Sequence, residues 1–172
     1  MEILVGADPE AFLVNTKGEF ISAIDKIGGS KIEPMDVGDG IALQEDNVAV
    51  EWNILPSKTV DEFIAQNELA MSKIQDLIKS QGLFLDLSAS AMFTPRELEH
   101  PRAQSFGCDP DFNAWTGKIN PRPTTNDPTL RVCGGHVHIG SKADRINVIK
   151  AMDAICGVPM SLWIRILYGV VS

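Results

Sequence analysis

The sequence predicts an α+β fold in which an antiparallel (mixed) sheet carries helices packed on one face. Two observations support this prediction. Strand-like segments follow one another singly and in hairpins, and two amphipathic helical segments lie between them. The length of 172 residues suits one domain spanning residues 1–172 with a sizeable core. We expect the polar face of the sheet to be its working face.

The predicted strands differ in how clearly they are marked. Residues 2–14 are typical of a strand in which Pro9 indicates an edge or a bulge. Residues 18–40 are rich in glycine and predict loops around short strands. Residues 41–55 alternate with period two from position 45 to position 54, which predicts one strand with apolar residues on one face and Glu45, Asn47, Glu51 and Asn53 on the other. Two further strands are predicted at 83–93 and 129–140.

Two helices and a long connection complete the predicted elements. The first helix covers about 60–81, because Thr59 and Glu62 form a capping box and Gly82 ends the apolar stripe. Ser141 is expected to cap the second helix, at about 142–156. The connection over 94–128 is rich in proline, asparagine and aspartate, and long connections of this kind are often functional.

Composition narrows the class of protein. The net charge of −8 argues against a nucleic-acid-binding surface, which needs clustered lysine and arginine. No stretch approaches the roughly 20 apolar residues of a membrane span. The first residues have no signal-peptide pattern. The cysteines number only three, and a small odd number does not suit a disulfide framework. We therefore expect a cytoplasmic protein.

Polar side chains recur two residues apart on three predicted strands, so each pair points to one face. Asp8 and Glu10 form one pair, and His136 and His138, after two glycines, form another. If these strands share a sheet with residues 45–53, carboxylates, amides and imidazoles converge. Carboxylates so close together repel unless cations lie among them. This mixture of oxygen ligands and imidazole favours Mg²⁺ or Mn²⁺, and two such ions commonly clamp a phosphate during phosphoryl transfer.

Each pattern also has a simpler interpretation. A polar strand face is most often only solvated. A zinc site built on Cys133, His136 and His138 would need Cys108 or His100 as a fourth ligand, and no CxxC pair supports it. The segment "SFGCDPDFNAW" (105–115), with Asp109 and Asp111, fits a substrate or nucleotide loop about as well as a simple turn.

Four motifs in order resemble one protein family. "GADPEAFLV", "QEDNVAVEWNILPSKTVDEF", "SFGCDPDFNAW" and "GGHVHIGS" look like segments of the phage-type carboxylate–amine ligases, or amidoligases, which share the glutamine synthetase catalytic fold. The resemblance implies a glutamine synthetase-like domain. It also implies a ligase that uses ATP with Mg²⁺ or Mn²⁺ to phosphorylate a carboxylate and then couples the acyl phosphate to an amine.

The resemblance assigns metal ligands position by position. Asp8 and Glu10 match the paired acidic ligands, and His136 matches the metal-binding histidine. Asn47 aligns with a further metal-binding carboxylate of the family, so that Glu45 or Glu51 is expected to replace it.

The resemblance also implies roles in catalysis and in nucleotide binding. His138 matches the histidine beside the nucleotide phosphates. Glu51 and His138 are the expected catalytic residues, and His138, Asp109 and Asp111 are expected to bind the nucleotide. The expected substrates are a small-molecule or peptide carboxylate and an amine, in a bacterial or phage-infected cell.

The chain departs from the family at its C-terminus. Arg165 and Tyr168 are the last matching positions, and the family's later arginines and last metal-binding glutamate have no counterpart. We expect activity to be impaired or lost, unless a homo-oligomer formed through the apolar tail completes the site. Two alternatives stay open: a non-catalytic metal- or nucleotide-binding remnant, and a metal-dependent hydrolase that uses the His-x-His pair.

Overall fold

A computed structural model describes residues 2–104, 110–122 and 126–160. The chain divides into two compact units, one of residues 1–108 and 124–141 and the other of residues 109–123 and 142–172. The prediction of a single domain stays a prediction. Among the described residues, no helix combines the length and the apolar character that crossing a membrane requires.

The first unit is an antiparallel sheet built around a long strand, β1 (Leu4–Asn15). The other strands follow in chain order: β2 (Phe20–Ile21), β3 (Met35–Asp36), β4 (Ala42–Asp46), β5 (Ala49–Asn53), β6 (Leu83–Asp86), β7 (Ser90–Met92), β8 (Leu130–Val132) and β9 (Gly135–Gly140). Within the described part, the sheet runs β2-β1-β5-β4-β3, β6 and β9 also pair with β1, and β7 pairs separately with β8. The predicted α+β class with an antiparallel sheet is confirmed.

Strand β1 has partners along both of its edges. Residues 4–9 pair with β9, while Glu10 and Ala11 pair with β5 on the other edge. The prediction that Pro9 marks an edge or a bulge is wrong, because the strand continues through it with an even register to β9. The missing N–H of proline leaves a local gap in the pairing with the β5 segment, which resumes on either side through Glu10 opposite Glu51 and through the Ile54 N–H to the Ala7 carbonyl.

The segment 41–55 is a hairpin and not the single strand that its alternation predicts. Strands β4 and β5 pair through Asp46 opposite Ala49, with Asn47 and Val48 as the two-residue loop. Asn47 has φ 56°, in the left-handed region that asparagine tolerates better than most residues. The turn reverses the parity of the alternation, so that Glu51 lies opposite Gln44 and Glu45 lies opposite Val50.

The other two predicted strands are each interrupted. Residues 83–93 form β6 and β7 with a break at Leu87–Ala89, and residues 129–140 form β8 and β9 with a break at Cys133–Gly134. The glycine-rich segment 18–40 contains two short strands, as predicted.

Helix α1 (Val60–Lys79) covers one face of the sheet, and its predicted capping box is confirmed. Thr59 accepts a hydrogen bond from the Glu62 N–H, and the Glu62 carboxylate accepts one from the Thr59 N–H. The apolar stripe buries Ala70, Ile74 and Ile78 in one core cluster with strand residues that include Leu13, Leu43, Val50 and Trp52. The odd-numbered residues of β1 and β4 and the even-numbered residues of β5 therefore face the helix.

A second core cluster lies at one end of the opposite face. Phe12 packs edge-to-face on Phe93, with 5.5 Å between ring centroids, and Val48 and Leu98 are buried in the same cluster. Two short 3₁₀ helices, Pro95–Leu98 and Pro101–Gln104, provide part of this cover. The rest of the opposite face carries the polar residues of the site.

The second unit contains a small turn and a helix. Phe112 and Ile119 pair across a turn in which the Asn113 side chain accepts the N–H groups of Trp115 and Thr116. Helix α2 (Arg145–Met152) begins later than predicted, because Asp144 and not Ser141 caps it by accepting the Asn147 N–H. A π-helical turn, Asp153–Gly157, follows. The apolar tail beyond Met160 lies outside the described residues.

Candidate functional site

The register of four strands brings polar residues to one face of the sheet. Asp8 lies opposite His136 and Gly6 opposite His138, while Glu10 lies opposite Glu51, which in turn lies opposite Gln44. Residues directly opposite one another in antiparallel strands point to the same side. We call this side the acidic face: it carries Asp8, Glu10, Gln44, Asp46, Glu51, Asn53, His136 and His138.

One half of the acidic face is organised around Asp8. Its Oδ1 accepts the backbone N–H of His136 at 2.7 Å and lies 3.2 Å from Nδ1 of the same residue. Its Oδ2 lies 3.3 Å from Nε2 of His138. Asp8 is largely buried whereas both imidazoles are more than half exposed. A single carboxylate therefore orients two imidazoles at the solvent boundary.

Gly135 is what allows β9 to approach β1 closely enough for these contacts. It has φ 146°, and a Cβ atom there would lie 2.7 Å from the Pro9 Cα. Only glycine fits such an approach without a shift of the backbone. The neighbouring Gly134 N–H donates to the Glu10 Oε2 at 2.8 Å. The two glycines thus fix the histidine strand against Asp8 and Glu10.

The other half of the acidic face is a group of three carboxylates, Glu10, Asp46 and Glu51, which we call the acidic triad. One oxygen of each lies within 4.8 Å of one oxygen of the other two. Glu51 is buried, and Glu10 and Asp46 are only partly exposed. Carboxylates at this separation repel strongly when charged, because little water screens them.

The repulsion is reflected in two pKa values. Burial, together with the charges of Asp46, Asp8 and Glu10, raises the pKa of Glu51 to about 7, and a hydrogen bond from Gln44 opposes the rise only in part. Burial and the charge of Asp46 likewise raise the pKa of Glu10, against the Gly134 hydrogen bond and the positive charge of Lys31. Without a cation, the triad therefore holds a proton near neutral pH.

An open cleft of about 540 Å³ lies over the triad. Its walls come from four strands and from the segment after Gly29, through Asp8, Glu10, Lys31, Pro34, Ala42, Gln44, Asp46, Glu51, Asn53 and His136. The cleft is large enough for an ion and part of a small substrate, and it joins the triad to the first histidine.

Two predicted site residues do not reach this face. Glu45 points to the opposite face, where its Oε1 accepts the N–H groups of Lys26, Ile27 and Gly28 at 3.0–3.1 Å and its Oε2 pairs with Arg102 at 2.8 Å. Burial raises its pKa, but the backbone hydrogen bonds and Arg102 outweigh burial and leave the pKa lowered. Asn47 occupies the turn. The prediction that Glu45, Asn47 and Glu51 share a face is wrong, because the hairpin changes the parity.

Asp46 and Gln44 are the site residues that sequence reasoning missed. The signal that could have found them is the pair Asp46-Asn47, which is typical of a tight turn. A hairpin at that point places even positions of β4 beside odd positions of β5, and so selects Asp46 in place of Glu45.

The remaining predicted residues lie elsewhere. Asp111 belongs to the second unit, where its carbonyl accepts the Asn120 N–H across the small turn, and Asp109 lies outside the described residues. Cys133, proposed for a zinc site, is not among the described residues grouped as metal ligands, and burial raises the pKa of its thiol. A thiol that resists ionisation is a poor metal ligand.

The acidic triad fits a hard divalent cation. All its donor atoms are carboxylate oxygens, the kind that Mg²⁺ and Mn²⁺ prefer. Burial in the first place, and the neighbouring carboxylates in the second, raise the pKa of Glu10 and of Glu51, and a cation at the triad would favour their charged forms. Asp8 and His136, on the same cleft, are placed to extend the ligand set.

Comparison with protein-family profiles, with curated proteins and with solved structures finds no match to this chain.

Proposed function

We propose that the chain is a cytoplasmic carboxylate–amine ligase of the glutamine synthetase-like fold, which uses ATP and Mg²⁺ or Mn²⁺. The observation that carries the proposal is the acidic triad beside the Asp8–His136–His138 cluster on one sheet face. The resemblance of four motifs to the amidoligases supplies the reaction.

The proposed reaction has two steps. A substrate carboxylate oxygen attacks the γ-phosphorus of ATP, which forms an acyl phosphate and releases ADP. The amine nitrogen then attacks the acyl carbon and loses a proton to solvent, and inorganic phosphate leaves as the amide forms. Both steps need stabilisation of the negative charge on phosphate oxygens, which a divalent cation held by the triad would supply.

The residues of the chain have separable tasks in this scheme. Glu10, Asp46 and Glu51 would hold the cation, and His136 with Asp8 would extend its ligand set. His138 is held by Asp8 through Nε2, and its exposed ring would contact an anionic phosphate group of the substrate. Burial of Glu51 at the base of the cleft keeps its carboxylate away from bulk water.

The test measures phosphate release with Mg·ATP against panels of acids and amines. We expect release that needs both co-substrates and falls at least about 100-fold in Glu51→Gln and His138→Ala, the usual scale for loss of a charge-stabilising group. Glu68→Gln and His100→Ala are matched controls outside the cleft and should keep full activity.

Three other outcomes would overturn the proposal. Full turnover in Glu51→Gln and His138→Ala would show that the chemistry lies elsewhere. Binding of Mn²⁺ or of a non-hydrolysable ATP analogue without turnover, with every acid and amine supplied, would indicate a non-catalytic binding protein. Hydrolysis of amides or esters without ATP would indicate a metal-dependent hydrolase.

A further inference from the structure

Lys31 is the one lysine or arginine among the described residues that line the cleft. Its Nζ lies 3.0 Å from the Asp46 Oδ2. The two side chains differ in exposure: 46% for Lys31 and 11% for Asp46. The ammonium therefore sits at the mouth of the cleft and reaches in to a carboxylate of the acidic triad.

The segment that carries Lys31 is anchored on both sides. Gly29 is wedged against the sheet, where a Cβ would lie 2.3 Å from the Leu43 carbonyl oxygen. After it, Ser30 and Glu33 close a turn, in which the Ser30 N–H donates to the Glu33 carbonyl and the Glu33 N–H donates to the Ser30 hydroxyl. Lys31 projects from this turn, so its backbone is held at the cleft and its four-carbon side chain carries the ammonium to Asp46.

The position of Lys31 sets up a competition for Asp46. A divalent cation in the triad needs the Asp46 carboxylate and carries a charge of the same sign as the ammonium. The two cations therefore repel, and the mobile one, on a flexible four-carbon stem, is the one that can move. An ammonium released from Asp46 remains tethered within reach of the cleft.

We propose that Lys31 is a tethered counter-ion that couples cation binding to anion binding. It neutralises Asp46 when no divalent cation is bound. When a cation enters the triad, Lys31 leaves Asp46 and binds an oxyanion of the substrate, either a phosphate or a carboxylate. This inference rests on the cation site of the proposed function, and it adds a residue that the motif resemblance does not assign.

The first arm of the test measures Mn²⁺ alone, by the loss of its free paramagnetic resonance signal on binding. Because a competing charge is removed, we expect Lys31→Met to bind Mn²⁺ about fivefold more tightly than wild type, in line with the modest strength of exposed ion pairs. Lys31→Arg should bind like wild type. Lys58→Met is the matched control, since Lys58 forms a 3.0 Å pair with Glu2 away from the cleft.

The second arm titrates inorganic phosphate and acetate separately at saturating Mn²⁺. Lys31→Met should weaken the binding of one or both by about tenfold, as expected for a charged hydrogen-bond partner, and the anion affected identifies the group that Lys31 takes. Lys31→Arg should retain that affinity.

The outcomes separate this inference from the proposed function. Mn²⁺ binding by wild type that is equal to or tighter than binding by Lys31→Met would overturn the competition while leaving the cation site intact. If Lys31→Met binds both phosphate and acetate as tightly as wild type does, the coupling is overturned. Absence of Mn²⁺ binding in wild type and in Lys31→Met alike would overturn both the cation site and the role of Lys31. Mn²⁺ binding without ATP-dependent turnover would remove the ligase reaction alone.

Discussion

Two buried glutamates on one hairpin have opposite electrostatic environments. Glu45 on β4 and Glu51 on β5 are 9% and 7% exposed, on opposite faces of the sheet. The carboxylate of Glu45 is surrounded by three backbone N–H groups and Arg102, and its pKa is lowered. The carboxylate of Glu51 is surrounded by Asp46, Asp8 and Glu10, and its pKa is raised to about 7.

The difference shows that two acids of nearly equal burial have opposite pKa shifts, according to the donors and charges around them. Around Glu45 the fold supplies every donor that the charge needs, so the charge holds a loop and the Pro101–Gln104 helix to the sheet. Around Glu51 the fold supplies one amide donor and further negative charge. A site whose charge the protein leaves uncompensated is one that a ligand can complete.

The largest expected effect comes from removing the charge of the compensated acid. Glu45→Gln should lower the free energy of unfolding at pH 7 by about 3 kcal/mol, because Arg102 and three backbone N–H groups lose a charged acceptor. Denaturant unfolding measures the loss. Because the pKa of Glu45 is lowered by folding, its contribution is present above the ordinary value and disappears as the pH falls through the lowered one.

This prediction has a matched control and a clear failure. Glu33→Gln, at an exposed carboxylate, should change the free energy of unfolding by less than about 0.5 kcal/mol. The gap between wild type and Glu45→Gln should narrow in acid. Equal stability of the two proteins at pH 7 would mean that the contacts of Glu45 contribute no net stability.

Removing the charge of Glu51 should change the free energy of unfolding in the opposite direction. In the presence of a chelator at pH 8, Glu51→Gln should raise the free energy of unfolding by about 2 kcal/mol, since a pKa raised from 4.5 to about 7 means that ionisation destabilises the fold. Wild type should lose stability as the pH rises from 4.5 through 7, and Glu51→Gln should lose less, because only the raised pKa of Glu10 remains in the triad. Thermal unfolding across this pH range measures both.

Adding Mn²⁺ completes the contrast between the two glutamates. Wild type should gain stability with Mn²⁺ at pH 8, because a ligand that binds only the folded state stabilises it, whereas Glu51→Gln should gain little. If Glu51→Gln is no more stable than wild type without metal, ionisation of Glu51 does not destabilise the folded state. If both respond equally to Mn²⁺, the cation binds away from Glu51.

Local signals in the sequence predict most of the elements but not the faces they present. The capping box of α1 and the pairs Asp8/Glu10 and His136/His138 are local patterns with a fixed period, so they carry over directly into the structure. Periodicity does not predict which of two nearby residues, Ser141 or Asp144, caps α2. It also does not predict the break in the strand at Cys133–Gly134. The acidic triad depends on register between three strands, which no single segment encodes.

The turn at Asn47 separates the two glutamates of the hairpin, and substitutions there should have the smallest effect on stability. Asn47 holds φ 56° between Glu45 and Glu51, so it decides which acid faces the cleft. Asn47→Gly and Asn47→Ala both remove the side-chain amide, but only alanine is penalised in the left-handed region. Asn47→Ala should therefore be about 1 kcal/mol less stable than Asn47→Gly in denaturant unfolding. Because the turn sets the register, Mn²⁺ affinity should be kept in Asn47→Gly and reduced in Asn47→Ala. Equal stability and equal affinity in the two variants would mean that strand pairing, and not the turn, places the two glutamates on opposite faces.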